Sequence, residues 1–311
     1  MPTVLVTGAT GRQGGHTIAA LRDKYFTVYA LTRDPTSAKA QDLKSDREVE
    51  VIKGDLNDRA SLEAALRESG ATLVFLVTDF WGSCGMKADV EIAHGKNMID
   101  AVKNVSPETF VLFSSVGDAD KVPPELHHFR SKAVIEAHLE ATLAHWSVIR
   151  PVSFLDNMDD PVQGPLKRGK CAGITEPGLR CKYVATSDIG KAAANVLAAP
   201  EKYEGRRIEL ATCEHTGFEL AKALTDASGE PCEYVIGLPR GVAWLLVPDI
   251  YHMVLWFEST GYSADLEEGR ALVGVGAHNA RSWFAEKGQW GNGTKFGENE
   301  PPLFGGFCGA L

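Results

Sequence analysis

The chain has 311 residues, of which 44% are hydrophobic and 23% are charged, values that are ordinary for a globular protein with one α/β domain and a smaller appendage. A formal net charge of −9 argues against direct binding to nucleic acid. The most apolar late stretch, residues 242–257, contains Pro248, Asp249 and His252, which argues against a membrane span. A strand pattern begins almost at the first residue, so we expect no targeting peptide and a cytoplasmic location, with the nucleus as a second option.

The six cysteines are scattered through the chain, without a Cys-x-x-Cys pair or a Cys/His cluster. They are Cys84, Cys171, Cys181, Cys213, Cys232 and Cys308. This spacing predicts free thiols in a reducing compartment and no metal site. Pairing of Cys171 with Cys181 is the alternative that the sequence leaves open.

In the first half of the chain, short apolar strands alternate with amphipathic helices. The predicted strands are 4–6, 28–31, 49–52, 73–77, 110–113 and 147–149, with helices that include 60–66, 91–102 and 131–143. Continuous apolar strands joined by helices predict a parallel sheet covered on both faces. The expected fold class is therefore α/β, a doubly wound parallel-sheet Rossmann fold whose ligands bind beyond the carboxyl ends of the strands.

After residue 150 the pattern changes to loops rich in Pro and Gly and to mixed elements. The predicted elements are helices at 188–197, 218–227, from 242 onward and at 279–286, and strands at 206–210 and 232–236. We expect a first domain at 1–150, to which 187–200 return, and a smaller α+β C-terminal lobe at 151–311. The tail from Gly288 is either loosely ordered or held by its rings, Trp290, Phe296, Phe304 and Phe307.

A glycine-rich turn joins the first strand to the first helix. Its residues are Gly8, Ala9, Thr10, Gly11, Arg12, Gln13 and Gly14. Backbone N–H groups at such a helix start favour a pyrophosphate, so the turn predicts a dinucleotide site. Gly8 permits the tight turn, Gly11 lets the phosphates approach, and Gly14 allows the helix to pack closely. The GxxGxxG spacing is typical of short-chain reductases, while a tight junction without a ligand is the alternative.

The end of the second strand bears on the choice of cofactor. A fold that selects NAD places Asp or Glu there, whereas this chain has Arg33, which suits the 2′-phosphate of NADP(H). Arg12 is expected to help neutralise that phosphate, and the alternative for Arg33 is a solvated strand-end charge. The next two strand ends are predicted to contact the adenine, ribose and nicotinamide through Asp55, Leu56, Val77 and Thr78.

A short-chain reductase needs a proton donor beside the carbonyl, usually Tyr-x-x-x-Lys on a helix with a Ser on the preceding strand. Here Ser114 ends the fifth strand and Lys132 is present, but His128 replaces the tyrosine, and we expect none of the seven tyrosines to lie near that helix. Either Lys132 only holds the nicotinamide ribose and His128 packs or contacts substrate, or His128 serves as the acid. His127 lies on a different face of the helix.

Together these residues resemble the NmrA-like branch of the atypical short-chain dehydrogenases along nearly the whole chain. The matching positions are Thr7 to Gly11, Gln13 to Gly15, Thr32-Arg33, Val77-Thr78, Trp81, Ser83-Cys84, His128-Phe129, Lys132, Phe154, Asn157, Asp188 to Gly190, Pro200 to Tyr203, Thr212-Cys213 and His215-Thr216.

The resemblance implies an NADP(H)-preferring Rossmann domain, a small C-terminal lobe and a cleft between them. Members of the family either sense NADPH/NADP⁺ through conformation or partner, or reduce quinones, imines and related small molecules. His128 looks like the sensor type, although an activated acceptor needs less help from a protein acid. Phe154 and Asn157 look like the family's substrate-side segment.

Three functions follow as hypotheses. The first is an NADPH-dependent oxidoreductase acting on a small aromatic or heterocyclic molecule, in a pocket lined by Trp81, Ser114, Phe154 and Asn157. The second is a redox sensor or transcriptional co-regulator that binds a regulatory protein, and the third uses NADP⁺ structurally in a non-redox reaction. A monomer or a homodimer is expected, and residues 242–257 are interpreted as core, as pocket lining or as a partner surface.

Overall fold

The structure, a computed structural model, describes residues 1–22, 24–45, 49–159 and 169–286. The predictions made for the tail after Gly288, for Cys308 and for most of the Pro/Gly loop at 161–168 lie outside the described residues. Within them no helix combines the length and the apolar character needed to cross a bilayer.

The first part of the chain contains six strands and five helices in strict alternation. They are β1 Thr3–Val6, α1 Arg12–Arg22, β2 Thr27–Thr32, α2 Ala38–Lys44, β3 Val49–Lys53, α3 Arg59–Ser69, β4 Leu73–Val77, α4 Ala88–Val105, β5 Phe110–Ser114, α5 His127–Thr142 and β6 Trp146–Pro151. The six predicted strands are all present. Helix α2 was not predicted, and it has a single buried residue, Ala40, so it lacks the apolar stripe that a sequence pattern can reveal.

The remaining elements are mostly short, and their strands belong to three different sheets. They are β7 Ser153–Phe154, a 3₁₀ helix Leu155–Asp159, β8 Lys170–Gly173, β9 Cys181–Val184, α6 Thr186–Ala198, α7 Pro200–Tyr203, β10 Arg207–Leu210, β11 Cys213–His215, α8 Gly217–Ser228, β12 Glu233–Ile236, α9 Arg240–Leu246, α10 Pro248–Ser259, α11 Leu266–Val273 and α12 Ala280–Glu286.

The central sheet has seven strands in the order β10-β6-β5-β4-β1-β2-β3, and all its neighbours are parallel. The chain reverses its direction of travel across the sheet between β1 and β4. In an open parallel sheet this switch point leaves a crevice at the carboxyl ends of the strands, where ligands bind. The predicted doubly wound Rossmann fold is confirmed, and the crevice is the place to look for the site.

Two apolar cores lie on opposite faces of this sheet, and glycines let helices approach closely on both. On one face α1 packs against α6, where a Cβ on Gly190 would lie 2.5 Å from the backbone of His16. On the other, a Cβ on Gly95 of α4 would lie 2.7 Å from Ile135 of α5. Helix α6 therefore holds α1 in place, and the first turn of α1 contains the last residues of the glycine-rich turn.

The lobe beyond the sheet has its own core, built around α8, α12 and the short strands. Helix α8 begins with a capping box between Thr216 and Glu219 and ends at Gly229 with φ +74°, the left-handed conformation that glycine adopts without strain. The five described cysteines, Cys84, Cys171, Cys181, Cys213 and Cys232, are free thiols, as predicted. Cys171 and Cys181 do not pair. The two-domain division itself stays a prediction.

The apolar stretch at 242–257 divides into two helices with different surroundings. Trp256 and Phe257 of α10 are buried in a cluster with Phe129 of α5. On α9, in contrast, the apolar side chains face solvent: Val242, Trp244, Leu245 and Leu246. The core interpretation therefore holds for α10, and α9 presents an exposed apolar surface.

Candidate functional site

The glycine-rich turn has the backbone that its sequence predicts. Gly8 has φ +58°, and a Cβ there would lie 2.7 Å from Val77 Cγ1, so no larger residue fits. A Cβ on Gly14 would collide with the carbonyl of Gly8. Helix α1 carries no acidic side chain in its first turn, so nothing offsets the positive end of its dipole. The turn thus fits a pyrophosphate.

Side chains from neighbouring strands hold the start of α1 in place. Ser114 at the end of β5 donates a hydrogen bond to Gln13 Oε1 at 2.6 Å. Thr7 bridges to β4 by accepting from the Val77 N–H at 2.8 Å and donating to the Val77 carbonyl at 3.1 Å. Residues predicted for cofactor and for substrate therefore meet at one edge of the sheet.

The end of β2 presents Arg33 to solvent, while the adjacent acid is engaged elsewhere. Asp34 Oδ1 accepts hydrogen bonds from the Thr36 hydroxyl at 2.6 Å and from the Thr36 N–H at 2.8 Å. These bonds lower the pKa of Asp34. Arg33 and Asp34 are both exposed, and the Asp34 carboxylate is hydrogen-bonded within the turn. The predicted contact of Arg33 with a 2′-phosphate stays a prediction.

The loop after β3 is tied to α4. Asn97 donates to the Leu56 carbonyl at 2.9 Å, and Asp55 accepts from the Asn57 N–H at 2.9 Å. Both Asp55 and Leu56 are half-buried at the carboxyl edge of the sheet, next to the end of β2. Their predicted adenine contact stays a prediction.

Lys132 is enclosed in a charged cluster beneath the end of β4. Its ammonium donates to the Thr78 carbonyl at 2.8 Å, to Thr78 Oγ1 at 2.7 Å and to Glu91 Oε1 at 2.6 Å. The Glu91 side chain is 0% exposed and that of Lys132 is 10% exposed. A lysine has three N–H donors, so this cluster uses all of them within the protein. Lys132 is a buried, fully paired cation in this arrangement.

Glu91 was missed in the sequence, although the pattern of α4 contains a signal for it. The buried face of this helix includes Glu91, His94, Gly95 and Met98, spaced three and four residues apart. An acid in phase with an apolar stripe needs a buried partner. Besides Lys132, Glu91 accepts hydrogen bonds from the hydroxyls of Thr78 and Ser131.

His128 is paired with Asp249, which comes from the start of α10. The Nδ1 atom of His128 hydrogen-bonds Asp249 Oδ2, and the backbone N–H of His127 donates to Asp249 Oδ1 at 2.6 Å. Burial opposes ionisation of Asp249, but the hydrogen bond and charge of His128 and the two backbone N–H donors lower its pKa overall. No sequence signal joins these two residues, which are 121 positions apart.

Aromatic rings surround the His128 imidazole. The ring centroids of Trp81 and Phe80 lie 5.0 and 5.7 Å from its centroid. The expectation that no tyrosine lies near α5 is wrong: the ring of Tyr262 stacks on that of Phe129, with 6.2 Å between the ring centroids. Burial raises the pKa of Tyr262. This phenol is therefore a packed, neutral group within the apolar cluster.

The segment predicted to face substrate lies directly beside the glycine-rich turn. Arg12 donates to the Asp156 carbonyl at 3.4 Å, which brings the 3₁₀ helix to the turn. Asn157 Oδ1 on that helix is buried and has no hydrogen-bond partner among the described residues, and its predicted contact with substrate stays a prediction. Phe154 packs against the sheet core. In residues 1–159 and 169–286, as far as they are described, no three His, Cys, Asp or Glu side chains are grouped around a metal-sized space.

Comparisons with known proteins agree with this architecture. The chain is 25% identical to an NAD(P)H azoreductase of Xenophilus azovorans over 232 residues, which cover 75% of this chain and 76% of the relative. Among solved structures, the negative transcriptional regulator NmrA superposes with a TM-score of 0.74 at 20% identity, over 92% of this chain and 95% of that one.

An NADPH-dependent quinone oxidoreductase of Escherichia coli superposes with a TM-score of 0.72 at 24% identity, over 91% of this chain and 99% of that one. Identities this low show a shared fold. The family itself is shown by sequence, because the NmrA-like family matches residues 1–279. The chain belongs to the NmrA-like family.

Proposed function

We propose that the protein is an NADPH-dependent oxidoreductase that passes hydride to a small aromatic or heterocyclic acceptor, such as an imine, a quinone or an activated carbonyl. The observation that carries the proposal is the His128–Asp249 pair, next to Trp81 at the carboxyl edge of the sheet. Its relatives include the azoreductase and the quinone oxidoreductase, and NmrA itself has been crystallised with NADP. We therefore propose that the glycine-rich turn and Arg33 bind NADP(H).

When bound, NADPH supplies the hydride, which carries two electrons, and is left as NADP⁺. The residues of the chain then have separate tasks. The turn from Gly8 to Gly14 binds the pyrophosphate, and Thr78 holds the end of β4 beneath the nicotinamide half of the site. His128 donates a proton from Nε2 to the acceptor heteroatom as the hydride adds to the adjacent atom, and solvent returns that proton. Trp81 covers the acceptor ring.

Turnover is tested by following the absorbance of reduced nicotinamide with purified protein and a panel of quinones, imines and azo dyes. We expect NADPH consumption that is proportional to protein concentration, together with formation of the reduced acceptor. A protein that binds NADPH tightly but leaves the whole panel unreduced would contradict the proposal.

Cofactor selection is tested at Arg33. The Arg33→Ser substitution is expected to weaken NADP(H) binding by about 10- to 100-fold, because a charge-assisted contact to the 2′-phosphate is lost, and to leave NAD(H) binding unchanged. Lys39→Ser removes one exposed positive charge nearby and serves as the control. Calorimetric titration with both cofactors measures the effect, and an equal loss for NADP(H) and NAD(H) would assign Arg33 no role in selection.

A redox sensor is the second candidate, favoured by the exposed apolar side chains of α9. Trp244 is 61% exposed and Leu246 is 70% exposed, which is unusual for a helix that has nothing to bind. A sensor requires that its partner distinguish two cofactor states. Equal affinity for a regulatory protein with NADPH, with NADP⁺ and without cofactor would rule this function out.

A further inference from the structure

Asp249 reaches across from the C-terminal lobe to the first turn of α5. It lies in the first turn of α10, directly after Pro248. Its carboxylate receives the His127 N–H at 2.6 Å, the His128 N–H at 3.4 Å and the Nδ1 atom of the His128 ring. One side chain thus caps the start of α5 and contacts the imidazole that this turn carries.

This carboxylate is well suited to remain charged. Its side chain is only 13% exposed, so water stabilises it little. The N-terminal end of α5, however, offers backbone donors and the positive end of a helix dipole. The hydrogen bond and charge of His128, followed by these backbone donors, hold the pKa of Asp249 below its usual value in spite of burial. An ionised partner on Nδ1 requires that Nδ1 carry a proton.

The opposite ring nitrogen has a different environment. Among the described residues no group hydrogen-bonds His128 Nε2, while the rings of Phe80, Trp81 and Phe129 lie within 6 Å of the imidazole centroid. Lys132, one helical turn further along α5, and Glu91 on α4 are bound to each other. The histidines that lie nearest in sequence to His128 and Asp249 on these two helices are His127 on α5 and His252 on α10. Asp249 is the anion that contacts the His128 ring.

We propose that Asp249 is a positioning residue for His128: it fixes the Nδ1–H tautomer and the ring orientation, so that Nε2 faces the acceptor. The inference rests on the proposed function for the role of His128, but its structural part, the tautomer, is measurable without turnover. A carboxylate on one ring nitrogen orients the imidazole and stabilises the imidazolium, which is the form that donates a proton. The C-terminal lobe thereby supplies part of the proton-donating unit.

The test uses the full-length protein labelled with ¹⁵N-histidine, with the His128 signals assigned by their absence in His128→Gln. In the unsubstituted protein we expect a protonated Nδ1. Asp249→Asn retains an oxygen to accept the His127 N–H, but its amide now donates to Nδ1, so we expect the proton to move to Nε2. We also expect kcat to fall by about 10²- to 10⁴-fold, with NADPH affinity unchanged.

Asp265→Asn is the matched control. Asp265 caps α11 in the same lobe by accepting from the N–H groups of Glu267 and Glu268, each at 2.8 Å, and its carboxylate is not in contact with an imidazole. This variant should keep both the tautomer and kcat. A neutral His128 whose single proton lies on Nε2 in the unsubstituted protein would overturn the inference, even if Asp249→Asn fails to fold. An unchanged tautomer in Asp249→Asn would overturn it as well. If the tautomer shifts in Asp249→Asn but His128→Gln keeps full turnover, the inference about Asp249 stands and the role of His128 as proton donor in the proposed function is refuted.

Discussion

Replacing Lys132 with methionine is expected to lower the free energy of unfolding by about 3–5 kcal/mol, because it leaves the fully buried Glu91 without its cation. Methionine retains most of the volume of the side chain, so the loss reports the charge rather than a cavity. Denaturant unfolding followed by circular dichroism measures the change.

Two further variants make this result specific. The double variant Glu91→Gln/Lys132→Met removes both charges, and we expect it to recover most of the lost stability, since neutral residues of similar size often replace buried ion pairs at little cost. Lys222→Met breaks an exposed ion pair with Asp226 on α8, and we expect it to lower the free energy of unfolding by less than about 1 kcal/mol. Equal destabilisation by Lys132→Met and Lys222→Met would show that burial of the first pair has no energetic consequence.

Replacing His128 with glutamine is expected to reduce kcat by about 10²- to 10⁴-fold, the usual contribution of a positioned general acid. Glutamine can still hydrogen-bond Asp249, so the start of α5 should remain folded and NADPH should bind with unchanged affinity. Steady-state kinetics with any acceptor that the panel identifies, together with a cofactor titration, measure both quantities.

The same helix offers a matched control in His138, whose Nε2 is 2.7 Å from Asp100 Oδ1. His138→Gln also removes an imidazole that faces a carboxylate, but at a half-buried position almost three turns further along α5. It should leave kcat unchanged. If both variants turn over at the rate of the unsubstituted protein, the acceptor takes its proton from water.

The fold was predictable because its signals are local and repeated. Buried parallel strands such as β4 and β5 are continuous apolar runs, and the glycine-rich turn joins the first strand directly to the first helix. The family resemblance was carried by the same residues and is confirmed. Strands β7 and β11, of two and three residues, escaped prediction because so few residues show no periodicity, and the four-residue strands β8 and β9 were missed as well.

The site was predictable only in part. Residues that follow a strand end, such as Thr78 and Ser114, are brought together by the topology, so their position in the sequence indicates their place. Asp249 lies 121 residues after His128, and its contact with His128 depends on how α10 packs against α5. The burial of Glu91 was visible in the helical periodicity of α4, but the identity of its partner was not.

The position of β10 has a consequence for the order in which the protein can be completed during synthesis. All six residues of β6 are buried, yet one of its edges is covered only by β10, and the ring of Trp146 is covered by Arg207 at 5.0 Å. Chains fold as they emerge, N-terminal part first, and an open apolar strand edge is prone to pair with other chains. The sheet therefore gains its last strand only after Leu210 has been synthesised, and until then this edge of β6 is open to pairing with other chains.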